Sequence, residues 1–101
     1  MDQKTCVRLP LVNRRSRIDL VADILQKAID GATMTSIMYK CGLSYKVTKG
    51  YVLLMFEKGL LEFEPAGTAY RTSEKGLRYL KIYDEMVTMA KLVDVMKSNR
   101  Q

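Results

Sequence analysis

A mainly α-helical chain with one small β-hairpin is predicted from three features of the sequence. Apolar residues recur at helical spacing over residues 18–29, 37–41, 47–55 and 79–96. A tight turn at Gly42-Leu43-Ser44 separates the second of these segments from the third. Two short runs, Leu60–Glu64 and Thr68–Thr72, flank a loop of Pro65-Ala66-Gly67 and read as a hairpin. Taken in order, helix, helix, helix and hairpin make a winged helix-turn-helix, and the last helix follows as a long C-terminal appendage. The expected organisation is a flexible basic arm over residues 1–15, the winged helix-turn-helix over 16–72, and a C-terminal coiled-coil dimerisation helix over 73–101.

Residues 1–15 show no usable period, and Pro10 argues against an early helix. Arg14, Arg15 and Arg17 form a basic cluster. Such a segment is either a solvated, frayed terminus or an arm that lies along phosphates. Ser16 and Asp19 resemble a capping box, with Asp in place of the usual Glu. Ile18, Val21, Ile24, Leu25, Ala28 and Ile29 then mark an amphipathic helix that ends at Asp30-Gly31. Its polar side carries Asp19, Asp23 and Lys27, a poor surface for DNA, so this helix reads as structural.

The centre of the chain is Thr35–Tyr51. Thr33 or Thr35 caps the second helix, where Ile37, Met38 and Cys41 make one apolar face. Gly42 breaks it, since only glycine enters the left-handed region without a Cβ penalty. Leu43 reads as a buried plug in the turn, and Ser44 as the N-cap of the third helix. By their spacing Val47, Tyr51, Leu54 and Met55 share the core face of that helix, which leaves Tyr45, Lys46 and Lys49 outside. Gly50, inside the helix, costs about 0.5–1 kcal/mol relative to alanine. A neighbouring helix approaching closely is its preferred explanation, ahead of a DNA backbone. Gly59 is the expected residue just past the helix end. A helical hairpin that only packs a core would share this outline.

On the hairpin, Arg71 is the basic residue and Glu62 and Glu64 are acidic, so the wing adds little to DNA affinity. In the last helix, Tyr79, Ile82, Met86, Met89, Val93 and Met96 are spaced as an a/d heptad. Leu80, Tyr83, Val87 and Ala90 form a second stripe. The first stripe is assigned to the interface with a second copy, because so long an apolar face exceeds what a small body can cover. Methionine in the seam leaves strand number and direction open.

The 101 residues carry 17 Lys/Arg against 11 Asp/Glu, a net charge of +6, and are 48% hydrophobic. That is one domain of modest core and too apolar for a disordered tail. Met1–Lys58 holds ten bases and five acids, so +5 of the excess lies in the half of the chain that contains the helix-turn-helix. A basic balance favours anionic partners such as nucleic acid. No apolar run has membrane-spanning length, and the N-terminus lacks a signal-peptide core. Cys6 and Cys41 read as reduced thiols. There is no histidine, no CxxC pair and no glycine-rich phosphate loop. Hence no catalytic residue, metal site, cofactor or small-molecule ligand is expected, and an enzyme has nothing to point to.

Ile37-Met38-Tyr39-Lys40, Leu43-Ser44-Tyr45-Lys46, Tyr51, Glu57-Lys58-Gly59-Leu60-Leu61-Glu62 and Tyr70-Arg71-Thr72-Ser73-Glu74-Lys75-Gly76 carry a resemblance to a known family. From about Ser16 to Tyr83 the chain is similar to the archaeal "ten-a" group of small winged-helix proteins, which includes basic chromatin proteins and transcriptional regulators. The resemblance implies a long C-terminal helix paired with its mate as an antiparallel coiled coil, and binding to double-stranded DNA. Met34, Ser36 and Gly42 depart from the group's pattern, in which basic residues often occupy the first two positions and Asn the third.

The resulting expectation is a homodimeric, cytoplasmic, nucleoid-associated protein that binds duplex DNA through the major groove, as a transcriptional regulator. An architectural chromatin protein and a protein-interaction adaptor are the alternatives. Tyr45, Lys46 and Lys49 would lead into the groove, with Tyr39, Lys40, Arg14, Arg15, Arg17 and Arg71 at or near phosphates. A membrane role is not expected.

Overall fold

The computed structural model describes residues 16–64 and 67–99, and for residues 94–99 the backbone alone. Arg14 and Arg15 of the N-terminal arm, Pro65 and Ala66 of the hairpin loop, and the side chain of Met96 therefore lie outside the described residues. The elements are helix α1 (Arg17–Lys27), strand β1 (Ala32–Thr33), helices α2 (Met34–Cys41) and α3 (Tyr45–Glu57), strands β2 (Leu61–Phe63) and β3 (Ala69–Thr72), and helix α4 (Glu74–Asn99).

Short-range chemistry sets most of these boundaries. Ser16 and Asp19 form the capping box at the start of α1: the Ser16 hydroxyl accepts from the Asp19 N–H at 3.2 Å, and the Asp19 carboxylate accepts from the Ser16 N–H at 3.2 Å. Thr33, not Thr35, caps α2, its side chain accepting from the Ser36 N–H at 3.1 Å. Two helices end alike. Gly42 (φ 66°) and Gly59 (φ 80°) take the left-handed conformation, and the next residue's N–H reaches back to a carbonyl of the last turn, Leu43 to Met38 at 3.0 Å and Leu60 to Met55 at 2.8 Å.

The sheet has three strands where the sequence predicts a two-stranded hairpin. Its order is β1-β3-β2, all neighbours antiparallel, with Leu61 opposite Thr72, Phe63 opposite Tyr70, and Ala32 also opposite Tyr70. The missed strand is two residues long and gains its partner from the far side of the domain, so no local period announces it. Glu62 faces Arg71 across the hairpin, yet it is Glu64 that holds the guanidinium, its Oε2 accepting from Arg71 Nε at 2.9 Å and from Nη2 as well.

Ile24, Leu25, Ala28, Ala32, Ile37, Cys41, Val52, Met55 and Leu61 form the buried core, joined at its edge by Leu20. Leu43 is half-buried against this cluster, a partial plug for the turn. Ile18, expected inside, is 48% exposed, and Leu20 and Ala22 take buried places on α1. β3 is tied to the end of α1 by two bonds: the Thr72 hydroxyl donates to the Leu25 carbonyl at 2.6 Å, and the Thr72 N–H donates to Ala28 at 3.0 Å.

Helix α4 runs from body to open solvent. Ser73 starts it, accepting from the Gly76 N–H at 3.1 Å while donating to the Gly59 carbonyl at 2.5 Å. Tyr79, assigned by its spacing to the outer seam, is instead folded onto the core. Its hydroxyl donates to the Ile18 carbonyl at 3.0 Å, a polar tip finding a partner across the helix pair. Leu80 packs beside it, and the Tyr83 hydroxyl donates to Asp19 Oδ1 at 2.5 Å. That bond to a carboxylate pushes the Tyr83 phenol up to about 12, so it stays protonated throughout the neutral range. Farther along, residues 88–93 are all exposed. At about 1.5 Å per residue the helix spans roughly 39 Å, within a chain whose extents are 56 × 28 × 19 Å.

Candidate nucleic-acid interface

Helix α3 and the turn before it form the surface of interest. Ser44 accepts from the Val47 N–H at 3.2 Å, which fixes where α3 starts. The rotation of the helix differs from the one its apolar residues suggest. Thr48, Val52 and Met55 are the buried line, at 0%, 0% and 1% exposure. Val47 and Leu54, assigned to the core, are exposed at 41% and 47%, and Tyr51 is only half-buried at the core's edge. A threonine can occupy the innermost place because its hydroxyl donates to the Ser44 carbonyl at 2.7 Å, which satisfies it within the helix.

This rotation carries a measurable consequence. Met55→Ala should cost about 2–5 kcal/mol in chemical denaturation, the usual range for emptying a buried methionine site. Leu54→Ala should stay within about 0.5 kcal/mol, as exposed substitutions do. Equal costs would put the rotation in error.

The outward side of α3 still presents the residues picked from the sequence. Tyr45 is 57% exposed, and Lys46 and Lys49 are exposed. The Lys49 ammonium lies 5.9 Å from the centre of the Tyr45 ring, an exposed cation–π pair that keeps the two together on one flank. No acidic residue precedes Glu57 in the helix. Gly50 has open space where a Cβ would stand, with nothing within 4 Å. Among the described residues no neighbouring helix approaches it, contrary to the explanation preferred from the sequence.

On α2, Tyr39 is 82% exposed and Lys40 is exposed near the turn. Arg17, at the start of α1, joins Lys46, Val47, Gly50, Tyr51 and Leu54 around a groove of about 440 Å³ between the two helices. Thus Arg17 and Lys46 lie on one surface. Arg71 stands apart on the wing, and its pairing with Glu64, which raises its pKa further, already answers its charge. The outward placement of aliphatic residues on α3 has no signal in the sequence, because so many of its positions are apolar. Among the described residues no cluster of three or more His, Cys, Asp or Glu could hold a metal ion, and no helix is long and apolar enough to cross a membrane.

A family model described as "Winged helix-turn-helix" matches residues 14–91. Among solved structures, Sso10a-2, a DNA-binding protein from Sulfolobus solfataricus, superimposes with a TM-score of 0.71. The two share 22% identity over 84% of this chain and 92% of that one. No curated protein matches the chain. The family match and the structural likeness bear out the winged helix-turn-helix fold predicted from the residues.

Proposed function

Since the chain belongs to the winged helix-turn-helix family, we propose that it binds duplex DNA as a homodimer, with α3 in the major groove, and acts as a transcriptional regulator. The observation that carries this reading is the outward side of α3. It pairs exposed Lys46 and Lys49 with Tyr45, has no acid before Glu57, and begins at a turn closed by Gly42 and Ser44. Helix-turn-helix readers present the first turns of the second helix to the bases, and these are the residues found there. Sso10a-2, which shares the fold, is a DNA-binding protein, and that agrees with this reading.

Arg17, Tyr39 and Lys40 flank that helix as phosphate contacts, and Arg14 and Arg15 extend the basic edge in sequence. Binding, not catalysis, is the role these groups suit. The dimer is supported by α4, on which Ile82, Met86, Met89 and Val93 are 63%, 48%, 64% and 60% exposed in a heptad-spaced row. A regulator is favoured over a coating protein because the groove-facing side of α3 carries shaped side chains as well as charge. A cytoplasmic, nucleoid-associated location follows from this reading.

The test is DNA affinity across a salt series for the wild type, Lys46→Ala and Lys49→Ala. Each phosphate contact contributes about 0.9 to the slope of log affinity against log salt. Lys49→Ala should weaken all duplexes alike and lower that slope by about one unit. Lys46→Ala, in the first turn, should cost about 1–3 kcal/mol at one base position and relax preference there. A wild-type affinity that ignores salt would contradict the assignment.

A further inference from the structure

The groove beside α3 has a chemical character that the basic residues alone do not explain. Its floor is aliphatic: Val47 and Leu54 stand 41% and 47% exposed, with Gly50 between them and nothing within 4 Å of where its Cβ would be. Arg17 and Lys46 line the same groove. The result is a strip of valine, gap and leucine, about 10 Å long by helical rise, beside cationic groups.

Solvent gains nothing from such a strip, and an acidic protein segment or a duplex could each be attracted to its charges. Its position favours the duplex. The strip runs from the first turn of α3 at Val47 to its third turn at Leu54, along the helix that, under the DNA-binding reading on which this inference rests, enters the major groove. There one base edge presents a carbon group, the C5-methyl of thymine, and aliphatic contact is the means by which proteins recognise it. The missing side chain at Gly50 lets the helix come close between the two aliphatic residues. A strip of about 10 Å covers roughly three base-pair steps at about 3.4 Å each.

We infer that Val47 and Leu54 read thymine methyl groups in the major groove, and that the protein prefers A·T-rich duplexes through those methyls. Phosphate attraction by Arg17 and the lysines sets overall affinity, and the aliphatic strip sets the preference.

Deoxyuridine differs from thymidine only by the absent methyl, so it isolates the contact. Affinity is measured for an alternating A·T duplex and for the same duplex with deoxyuridine replacing every thymidine. An alternating G·C duplex with and without 5-methylcytosine is measured in parallel. The wild type should bind the deoxyuridine duplex about fourfold more weakly for each methyl it buries, the value of one methyl-sized group removed from water. Methylating the cytosines should strengthen binding in the same sense. Val47→Ala and Leu54→Ala, both at exposed positions, should fold normally and shrink the thymidine-to-deoxyuridine ratio towards one. Lys49→Ala should weaken both duplexes and keep the ratio.

A wild type that binds both A·T duplexes equally well overturns the inference while leaving the DNA-binding reading intact. That outcome is also the one expected if an acidic protein segment is the true occupant. Folded Val47→Ala and Leu54→Ala variants that keep the wild-type ratio overturn it as well. Failure to bind any of the four duplexes overturns the DNA-binding reading itself.

Discussion

Gly76→Ala should destabilise the fold by about 3 kcal/mol, at or above the top of the usual range for overpacking. Helix propensity alone predicts the opposite sign, since alanine inside a helix gains about 0.5–1 kcal/mol over glycine. Packing wins here because there is no room. A Cβ at Gly76 would stand 2.5 Å from the Leu60 carbonyl oxygen, 2.6 Å from Thr72 Cγ2 and 3.1 Å from Leu25 Cδ2. The carbonyl cannot simply move aside, because it accepts from the Ser73 N–H at 3.0 Å and so holds α4 to the segment after α3. Thr72 is fixed too, by its bond to the Leu25 carbonyl. For a small domain with about 5–15 kcal/mol of total stability, the loss would be large. Gly50→Ala is the natural control, since open space surrounds that position, and it should stabilise the protein by about 0.5–1 kcal/mol. Denaturant unfolding of both variants decides the matter. Two stabilised proteins would mean that α4 does not pack on the core as described.

The other large effect belongs to the proposed dimer. Met86→Glu combined with Met89→Glu should convert a dimer at micromolar concentration into a folded monomer in analytical ultracentrifugation. Both methionines are exposed on the protomer, at 48% and 64%, so the substitutions leave its own core untouched. In a dimer seam the same carboxylates would be desolvated, at a cost of several kcal/mol unless paired, and about 1.4 kcal/mol is a tenfold change in affinity. A double variant that remains dimeric would place the interface elsewhere. Tyr79 gives a useful contrast: it is committed to Ile18 within the protomer, so Tyr79→Phe should leave the association unchanged.

Most of the fold could be read from the sequence because its boundaries are written in short-range chemistry. Ser16 with Asp19, Ser44, Gly42 and Gly59 each act within a few residues, and each does what its residue type implies. What resisted reading depends on contacts distant in the chain. The two-residue β1 exists only because β3 lies beside it. The rotation of α3 is not legible in the sequence because Val47, Tyr51, Val52, Leu53, Leu54, Met55 and Phe56 are apolar on several sides at once. With no polar stripe to exclude, periodicity cannot choose the buried line, and Thr48 sits on that line for a reason only its bond to Ser44 reveals. Tyr79 fits a heptad by spacing, but α1 lies within reach of its hydroxyl and claims it. As for the candidate site, the outward placement of Tyr45, Lys46 and Lys49 was legible because charge on a capped helix start has little choice but solvent. The aliphatic groove beside them was hidden by the same ambiguity that hid the rotation.

The central claim is that the outward face of α3 is the surface that touches DNA, and the Lys46→Ala/Lys49→Ala double variant tests it most directly. Its affinity for random duplex is measured across a salt series beside the wild type, with thermal unfolding followed on the same samples. Both lysines are exposed, so the melting temperature should hold. Affinity should fall for every duplex, and the salt slope should drop by about one to two units as one or both phosphate contacts are lost. A folded double variant that binds every duplex with the wild-type affinity and slope would contradict the account.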